Sequence, residues 1–461
     1  MENILRNRSE LKGKKILVVG MGKSGESTAK VLHELGSRVS VQDISVRENL
    51  NPRILSYIKN EEIPAYLGCL PPDISTYDMV LVSPGVSLEL EIIKKAKKFG
   101  VEVIGEVELA YRLSYGKYIG ITGTNGKTTT TTLVGEIFKN AKRDTKVVGN
   151  IGNPAISEAL GSRNNDWFIL EISSFQLETV DRFKPVVSAI LNLTPDHLNR
   201  HHTMEAYAAA KARIFENQSD SDYLIINKDD DITFNLAKDA RAKIIPFSRK
   251  EELDIGAYVK EDMLKIKDED GLIHEICKIS EIKIPGNHNI ENILAASAIS
   301  YFAGINPNII RETIINFYGV EHRIEYIGEV DGVKFYNDSK GTNVDATITA
   351  LKALDKDIVL IAGGDGKGQD FSKLANALGS RVKAALIFGR DRENIGNAFK
   401  NADFNSYIYK DNLPECVKEA MIIAKHGDKI LLSPACASWD MYDNYMQRGE
   451  HFKECVNSLL K

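Results

Sequence analysis

The sequence predicts an α/β protein of three domains. A Rossmann-like domain comes first, a central P-loop-type parallel sheet second, and another Rossmann-like domain last. Three observations predict this. The 461 residues suffice for about three ordinary domains, and 43% of them are hydrophobic, enough to fill their cores. Short apolar runs alternate with helix-length segments along the chain, the rhythm of doubly wound sheets. Those runs repeatedly end in glycine-punctuated polar turns, where such sheets hold ligands. The expected boundaries are 1–106, 107–319 and 320–461.

In the first segment Lys15-Ile16-Leu17-Val18-Val19 reads as a strand. It runs into Gly20-Met21-Gly22-Lys23-Ser24-Gly25 and a helix from Glu26 to Leu35, which Gly36 stops. A second strand, Arg38-Val39-Ser40-Val41, ends at Asp43. At face value this is the dinucleotide fingerprint, although any nucleotide diphosphate can use such a turn. Met79-Val80-Leu81-Val82 then leads into Ser83-Pro84-Gly85, read as a rigid turn or a ligand contact at a strand end. Val101-Glu102-Val103-Ile104 is a further strand, giving four or five parallel strands.

The middle segment holds the stretch around which the chain is organised. Tyr118-Ile119-Gly120-Ile121 is a buried strand, and Thr128 to Ile137 a helix. Between them Gly123-Thr124-Asn125-Gly126-Lys127-Thr128 makes a turn in which two residues separate the glycines. The usual Walker A pattern has four there, yet the physical parts are present. Gly123 and Gly126 let the backbone approach a polyphosphate closely. Free N–H groups and the helix N-terminus face the anion. Lys127 reaches the terminal phosphates, and the Thr128 hydroxyl suits magnesium. A strand leading into Gly149-Asn150 follows, then the apolar strand Trp167 to Leu170, ending in Glu171. Glu171 is either a magnesium ligand or a strand-end charge facing water. After the strand Val187 to Leu193, Asp196-His197 occupies a strand-end position, while His201 and His202 read as surface residues. The helix Met204 to Phe215 carries Lys211, by pattern a solvated lysine. Residues 220–285 read as short strands and turns. Asn289 and Asn292 share one face of the next helix, where their amides suit an adenine edge or an N-cap.

In the last segment four strands are expected. Val333 to Tyr336 runs into Asn337-Asp338-Ser339-Lys340-Gly341-Thr342-Asn343, and a helix from Val344 to Leu354 follows. Ile358 to Ala362 runs into Gly363-Gly364-Asp365-Gly366-Lys367. Ala384 to Phe388 is the third, and Ile430 to Leu432, ending in Ser433-Pro434-Ala435-Cys436-Ala437-Ser438-Trp439-Asp440, the fourth. Polar residues recur at these strand ends, which favours ligand contacts over plain turns.

Bulk properties exclude other classes. A net charge of −5 without a strong basic run argues against a nucleic-acid surface. Five cysteines with no CxxC suggest neither a disulfide framework nor zinc. Met1-Glu2-Asn3-Ile4-Leu5-Arg6 is no signal peptide, and no apolar run is of bilayer length, so a soluble, cytoplasmic protein is expected.

Taken together and in order, the loop 123–128, Glu171, Asp196-His197-Leu198, Ala210-Lys211, Asn287-His288-Asn289-Ile290-Glu291-Asn292, Glu321-His322-Arg323 and the run 337–343 resemble the Mur ligase family along the whole chain. The run 433–440 and Tyr445-Met446-Gln447-Arg448-Gly449 resemble its D-glutamate-adding branch. The resemblance implies a first domain that holds UDP rather than NAD, which replaces the face-value reading of Gly20 to Gly25. It implies ATP-driven amide formation through an acyl phosphate, with UDP-N-acetylmuramoyl-L-alanine and D-glutamate as substrates, in a cytoplasmic step of peptidoglycan synthesis. A monomer using ATP and two magnesium ions is expected.

Residue roles follow from the same resemblance. Lys127, Glu171, His197 and Lys211 are the catalytic set. Thr128, Glu171, His197 and a carbamate on Lys211 hold metal. Gly123, Thr124, Asn125, Gly126, Lys127, Thr128, Thr129, Asn289, Asn292, Arg323, Asp338 and Lys340 contact ATP. Gly22, Lys23, Ser24, Asp43, Ser83, Pro84, Gly85 and Asn150 hold the UDP substrate. Thr342, Lys367, Ser438, Trp439 and Tyr445 surround D-glutamate.

Overall fold

The computed structural model describes residues 2–71 and 73–459. By compactness the chain forms two units, Met1–Glu281 with His288–Ile315, and Ile282–Asn287 with Asn316–Lys461.

The first unit contains two sheets. One has strands β1 (Lys15–Val19), β2 (Arg38–Asp43), β3 (Ala65–Leu67), β4 (Met79–Val82) and β5 (Glu102–Gly105) in the order β3-β2-β1-β4-β5. Every pairing is parallel. The order reverses between β1 and β4, so the loops leaving their C-terminal ends diverge and open a crevice. Ile16, Val18, Val41 and Leu81 bury one face of this sheet, and Leu17, Val19, Val80 and Val82 the other. Cover on both faces explains why these strands read as continuous apolar runs.

The second sheet has nine strands: β6 (Lys117–Thr122), β7 (Thr145–Gly149), β8 (Trp167–Glu171), β9 (Val187–Ile190), β10 (Tyr223–Asn227), β11 (Lys243–Ser248), β12 (Gly256–Lys260), β13 (Met263–Lys267) and β14 (Ile273–Lys278). Their order is β14-β13-β12-β11-β10-β9-β6-β8-β7, parallel from β7 to β12 and antiparallel at β12–β13–β14. β6 lies between β8 and β9, which places the ends of these three strands side by side. The helix expected from Thr128 spans Lys127–Asn140, and the one expected to reach Phe215 tightens into a 3-10 turn at Arg213.

The second unit holds β15 (Glu325–Val330), β16 (Val333–Asn337), β17 (Ile358–Gly363), β18 (Val382–Phe388), β19 (Tyr407–Tyr409) and β20 (Lys429–Leu432), in the order β15-β16-β20-β17-β18-β19. β15 is antiparallel to β16 and the other pairs are parallel. Sequence reading missed β15 and β19. Both are edge strands with incomplete burial, and β15 has a register shift at Gly328, so neither shows an apolar run.

Candidate active site

At the crevice between β1 and β4 lies a cavity of about 940 Å³. Its lining includes every residue expected to hold the UDP substrate: Gly22, Lys23, Ser24, Asp43, Ser83, Pro84, Gly85 and Asn150. The turn after β1 is built tightly. A Cβ at Gly25 would lie 1.9 Å from the Gly20 carbonyl oxygen, so only glycine lets the helix start against the strand. The Ser83 hydroxyl donates to the same carbonyl at 2.7 Å and pins the two strand ends together. Asp43 accepts from the Met21 N–H at 2.7 Å and the Ser45 N–H at 2.8 Å. Lys23 Nζ donates to the Gly152 carbonyl at 2.6 Å, crossing to the opposite wall. Part of the rim is bare hydrocarbon, with Ile44 83% and Leu70 47% exposed.

The phosphate loop follows β6. Gly123 and Gly126 have φ of +151° and +82°, values that favour glycine. A Cβ at Gly126 would also meet Asn292 Oδ1 at 2.1 Å, so Asn292 packs directly on the loop. Asn292 Nδ2 in turn donates to Asn289 Oδ1 at 3.1 Å. Asn125 exchanges two bonds with the Asn192 side chain, and the Thr124 hydroxyl meets Tyr207 OH at 3.2 Å. Asn192 and Tyr207 were not anticipated; the position of Asn192 just past β9 was the available signal. Thr128 and Thr129 lie buried in the first turn of the helix.

Both site lysines turn onto the loop. Lys127 Nζ donates to the carbonyls of Gly123 and Thr124, and Lys211 Nζ to Gly123 and the Thr122 hydroxyl. Lys211 is 1% exposed, so the solvated helix lysine of the sequence pattern is in fact buried. Burial, then the charge of Lys127, hold its ammonium well below the usual lysine range. Glu171, 2% exposed at the end of β8, accepts from Asn150 Nδ2 at 2.9 Å through Oε1. Among the described residues its Oε2 has no partner. A buried bare carboxylate oxygen beside a phosphate loop fits a cation, so the residues present suit magnesium.

His197 stands at φ +52°, with its ring 3.4 Å from Asp196 and 4.8 Å from the Phe175 ring centroid. His201 corrects an expectation, since it is not a surface residue. It is 6% exposed, with Nε2 2.9 Å from Ser174 Oγ and Nδ1 3.4 Å from Glu178. Packing against Phe175 and Tyr207 draws it inward, and burial lowers its pKa. His202 is exposed as expected.

In the second unit the expected residues gather at the C-terminal ends of β16, β17 and β20. Asp338 is buried and accepts from the Ser433 hydroxyl at 2.6 Å. Burial pushes its pKa up to about 7, against that hydroxyl and the Arg323 charge. Arg323 is exposed, between positive-φ residues His322 and Ile324. Lys340 Nζ lies 5.8 Å from the Tyr445 ring centroid, and the Thr342 N–H donates to the Lys340 carbonyl. Lys367, at φ +53°, sits 4.2 Å over the Trp439 ring, which is 64% exposed; neighbouring Ser438 is buried. Arg448 was quoted in a motif without a role. It is fully buried and donates to Ser339 Oγ and to the carbonyls of Ser339, Cys436 and Ala437. It thereby ties the loop after β16 to the loop after β20. Among the described residues one three-residue group, Glu321–His322–Glu450, has metal-binding spacing, but Lys453 Nζ already lies 2.6 Å from Glu321 and 3.1 Å from Glu450.

Comparison with known proteins follows this layout. Residues 14–105 match the Mur ligase MurD-like N-terminal domain, 121–300 the Mur ligase middle domain, and 322–436 the Mur ligase glutamate ligase domain. The chain is 47% identical to the UDP-N-acetylmuramoylalanine--D-glutamate ligase of Caldanaerobacter subterraneus subsp. tengcongensis, over 98% of this chain and 100% of the relative. It is 48% identical to the protein of that name from Clostridioides difficile, with the same coverage. The fold resembles a Thermotoga maritima UDP-N-acetylmuramate-alanine ligase (TM-score 0.58, 20% identity, covering 96% of this chain and 99% of that one). With matches to three successive domains and near-full-length identity of this order, the chain belongs to the Mur ligase family.

Proposed function

We propose that the protein is an ATP-dependent ligase joining D-glutamate to UDP-N-acetylmuramoyl-L-alanine through an acyl phosphate, a cytoplasmic step of peptidoglycan synthesis. One observation carries the reading. Asn150 lines the cavity at the switch point of the first sheet and also donates to Glu171 beside the phosphate loop. A nucleotide lying in that cavity thus directs its far end towards the place where phosphate is transferred. The near-full-length likeness to ligases bearing this activity in their names supports the choice of substrates.

The residues suit each step. Attack of a carboxylate on the γ-phosphate brings two anions together, so fixed positive charge is needed. Lys127 and the N–H groups of loop 123–128 supply it, while Asn289, Asn292, Arg323, Asp338 and Lys340 hold the nucleotide. Magnesium bound with ATP would add further neutralisation; Thr128 and Glu171 would hold one ion, and a second would sit near His197, Glu171 and Lys211. A lysine ammonium cannot ligate a cation, and burial of Lys211, then the nearby Lys127 charge, favour the neutral amine, the form that takes up CO₂, which supports a carbamate there. D-Glutamate presents two carboxylates and one amine. Lys367, Thr342 and Ser438 clamp the carboxylates, with Trp439 and Tyr445 closing around them. The proposed enzyme is a monomer of three domains divided at 106/107 and 319/320. Among the described residues no helix is long and apolar enough to cross a membrane.

The test is a panel of L- and D-amino acids offered with ATP and UDP-N-acetylmuramoyl-L-alanine, scored by phosphate release and product mass. D-Glutamate alone should support rapid turnover. Equal turnover with another amino acid, or none with D-glutamate, would overturn the assignment.

A further inference from the structure

Arg200 lies on the one-turn helix Leu198–His201, whose N-cap is His197. Its side chain leaves that helix in three directions. Nη1 donates to the carbonyl of Pro84 at 3.1 Å. Nη2 pairs with Glu178 Oε2 at 2.5 Å. The guanidinium carbon sits 4.3 Å from the Phe175 ring centroid. The Arg200 and Glu178 side chains are only 16% and 18% exposed, so solvent screens the pair weakly.

Each partner belongs to something larger. Pro84 lies in the turn after β4 and lines the nucleotide cavity. Phe175 belongs to the short helix Ser174–Leu177, and Glu178 is its C-cap. Gln176 of that helix lines the same cavity and is fixed by a reciprocal capping box with Ser173. The Phe175 ring also touches the His197 ring. His201 strengthens the junction through Ser174 and Glu178. Two walls of the cavity, from different sheets, therefore meet at one guanidinium three residues from His197.

We propose that Arg200 is a positioning residue: it holds the Pro84 and Gln176 walls of the nucleotide cavity in register with the His197 segment, so that seating the UDP substrate and ordering the phosphate-transfer site are one event. A guanidinium is suited to this because it donates in a planar fork and stacks on an aromatic face at the same time, whereas a lysine ammonium is a point charge. The inference rests on the proposed ligase activity.

The experiment compares the full-length wild type with Arg200→Lys and Arg200→Met by steady-state ligation, and by melting temperature as a check on folding. The Lys variant should raise KM for UDP-N-acetylmuramoyl-L-alanine about tenfold, a change of about 1.4 kcal/mol. Its KM values for ATP and D-glutamate should stay within about twofold. The Met variant should show the same split with a larger loss of kcat, because the His197 segment is no longer held. If the wild type ligates and KM for the UDP substrate is unchanged in the Lys variant, the proposal is overturned. An equal rise in all three KM values also overturns it, since that marks general loosening. Should the Met variant fail to fold, the Lys variant decides alone. A wild type that does not ligate D-glutamate sinks the functional reading instead.

Discussion

Residues whose sequence context looked ordinary carry much of the site. Lys211 follows a run of alanines, and nothing in the pattern distinguishes it from a solvated lysine; its burial arises because β6 ends beneath it and offers the Thr122 hydroxyl and the Gly123 carbonyl. Only the family resemblance singled it out. Lys127, by contrast, was legible because glycine, lysine and threonine at a helix start have a local physical meaning. The carbamate reading of Lys211 separates cleanly from a cationic role. Lys211→Ala should be nearly inactive in ligation, and added acetate should partly restore it by replacing the missing anion. Lys211→Arg should be inactive as well. An active Arg variant with no acetate rescue would show a cation at work. Lys367 makes a second test. Its removal should raise KM for D-glutamate about tenfold and leave that for ATP within about twofold if, as proposed, it pairs a substrate carboxylate. Equal rises would point away from that contact.

Elements were legible where apolar runs are long and covered on both sides, as at β1, β6 and β17. They were lost at the edges, where half-burial removes the signal. Another element-level feature was invisible in the sequence. Glu106, at the start of the helix Glu106–Leu113, is 3% exposed and accepts from the Ile156 N–H at 2.7 Å, at the start of the helix Ile156–Ala159. Its other carboxylate oxygen has no partner among the described residues. Burial raises its pKa from 4.5 to about 7, outweighing the backbone bond from Ile156. The folded protein therefore favours the protonated form. Its stabilising contribution is complete below pH 4.5 and is lost as pH rises towards 7. The loss is about 3 kcal/mol at about 1.36 kcal/mol per unit. Glu106→Gln keeps an acceptor and cannot ionise. Its melting temperature should fall less than that of the wild type between pH 5 and 8, by a few degrees on scanning calorimetry. Parallel curves for the two proteins would refute the assignment.

For the molecule as a whole, the order of motifs along the chain carried more information than any one of them. Gly20 to Gly25 alone reads as a dinucleotide fingerprint; the Mur ligase resemblance, carried by the later motifs in order, implies a UDP site instead. The two readings differ in what stabilises the folded chain. UDP at about 100 times its dissociation constant should stabilise the protein by about 2.7 kcal/mol, seen as a rise in melting temperature, and NADH should give no rise. Protection by NADH without UDP would restore the face-value dinucleotide reading. What no sequence pattern conveyed was the cavity's bare rim at Ile44 and Leu70. Hydrocarbon exposed beside a nucleotide cavity gains from contact with any flat apolar group, whether or not a phosphate is attached. A neutral heteroaromatic compound lying on that rim would occupy the cavity without imitating the anionic half of the substrate. Such a molecule, unlike a nucleotide, carries no phosphate charge to desolvate, which makes the rim the natural foothold for a small neutral inhibitor.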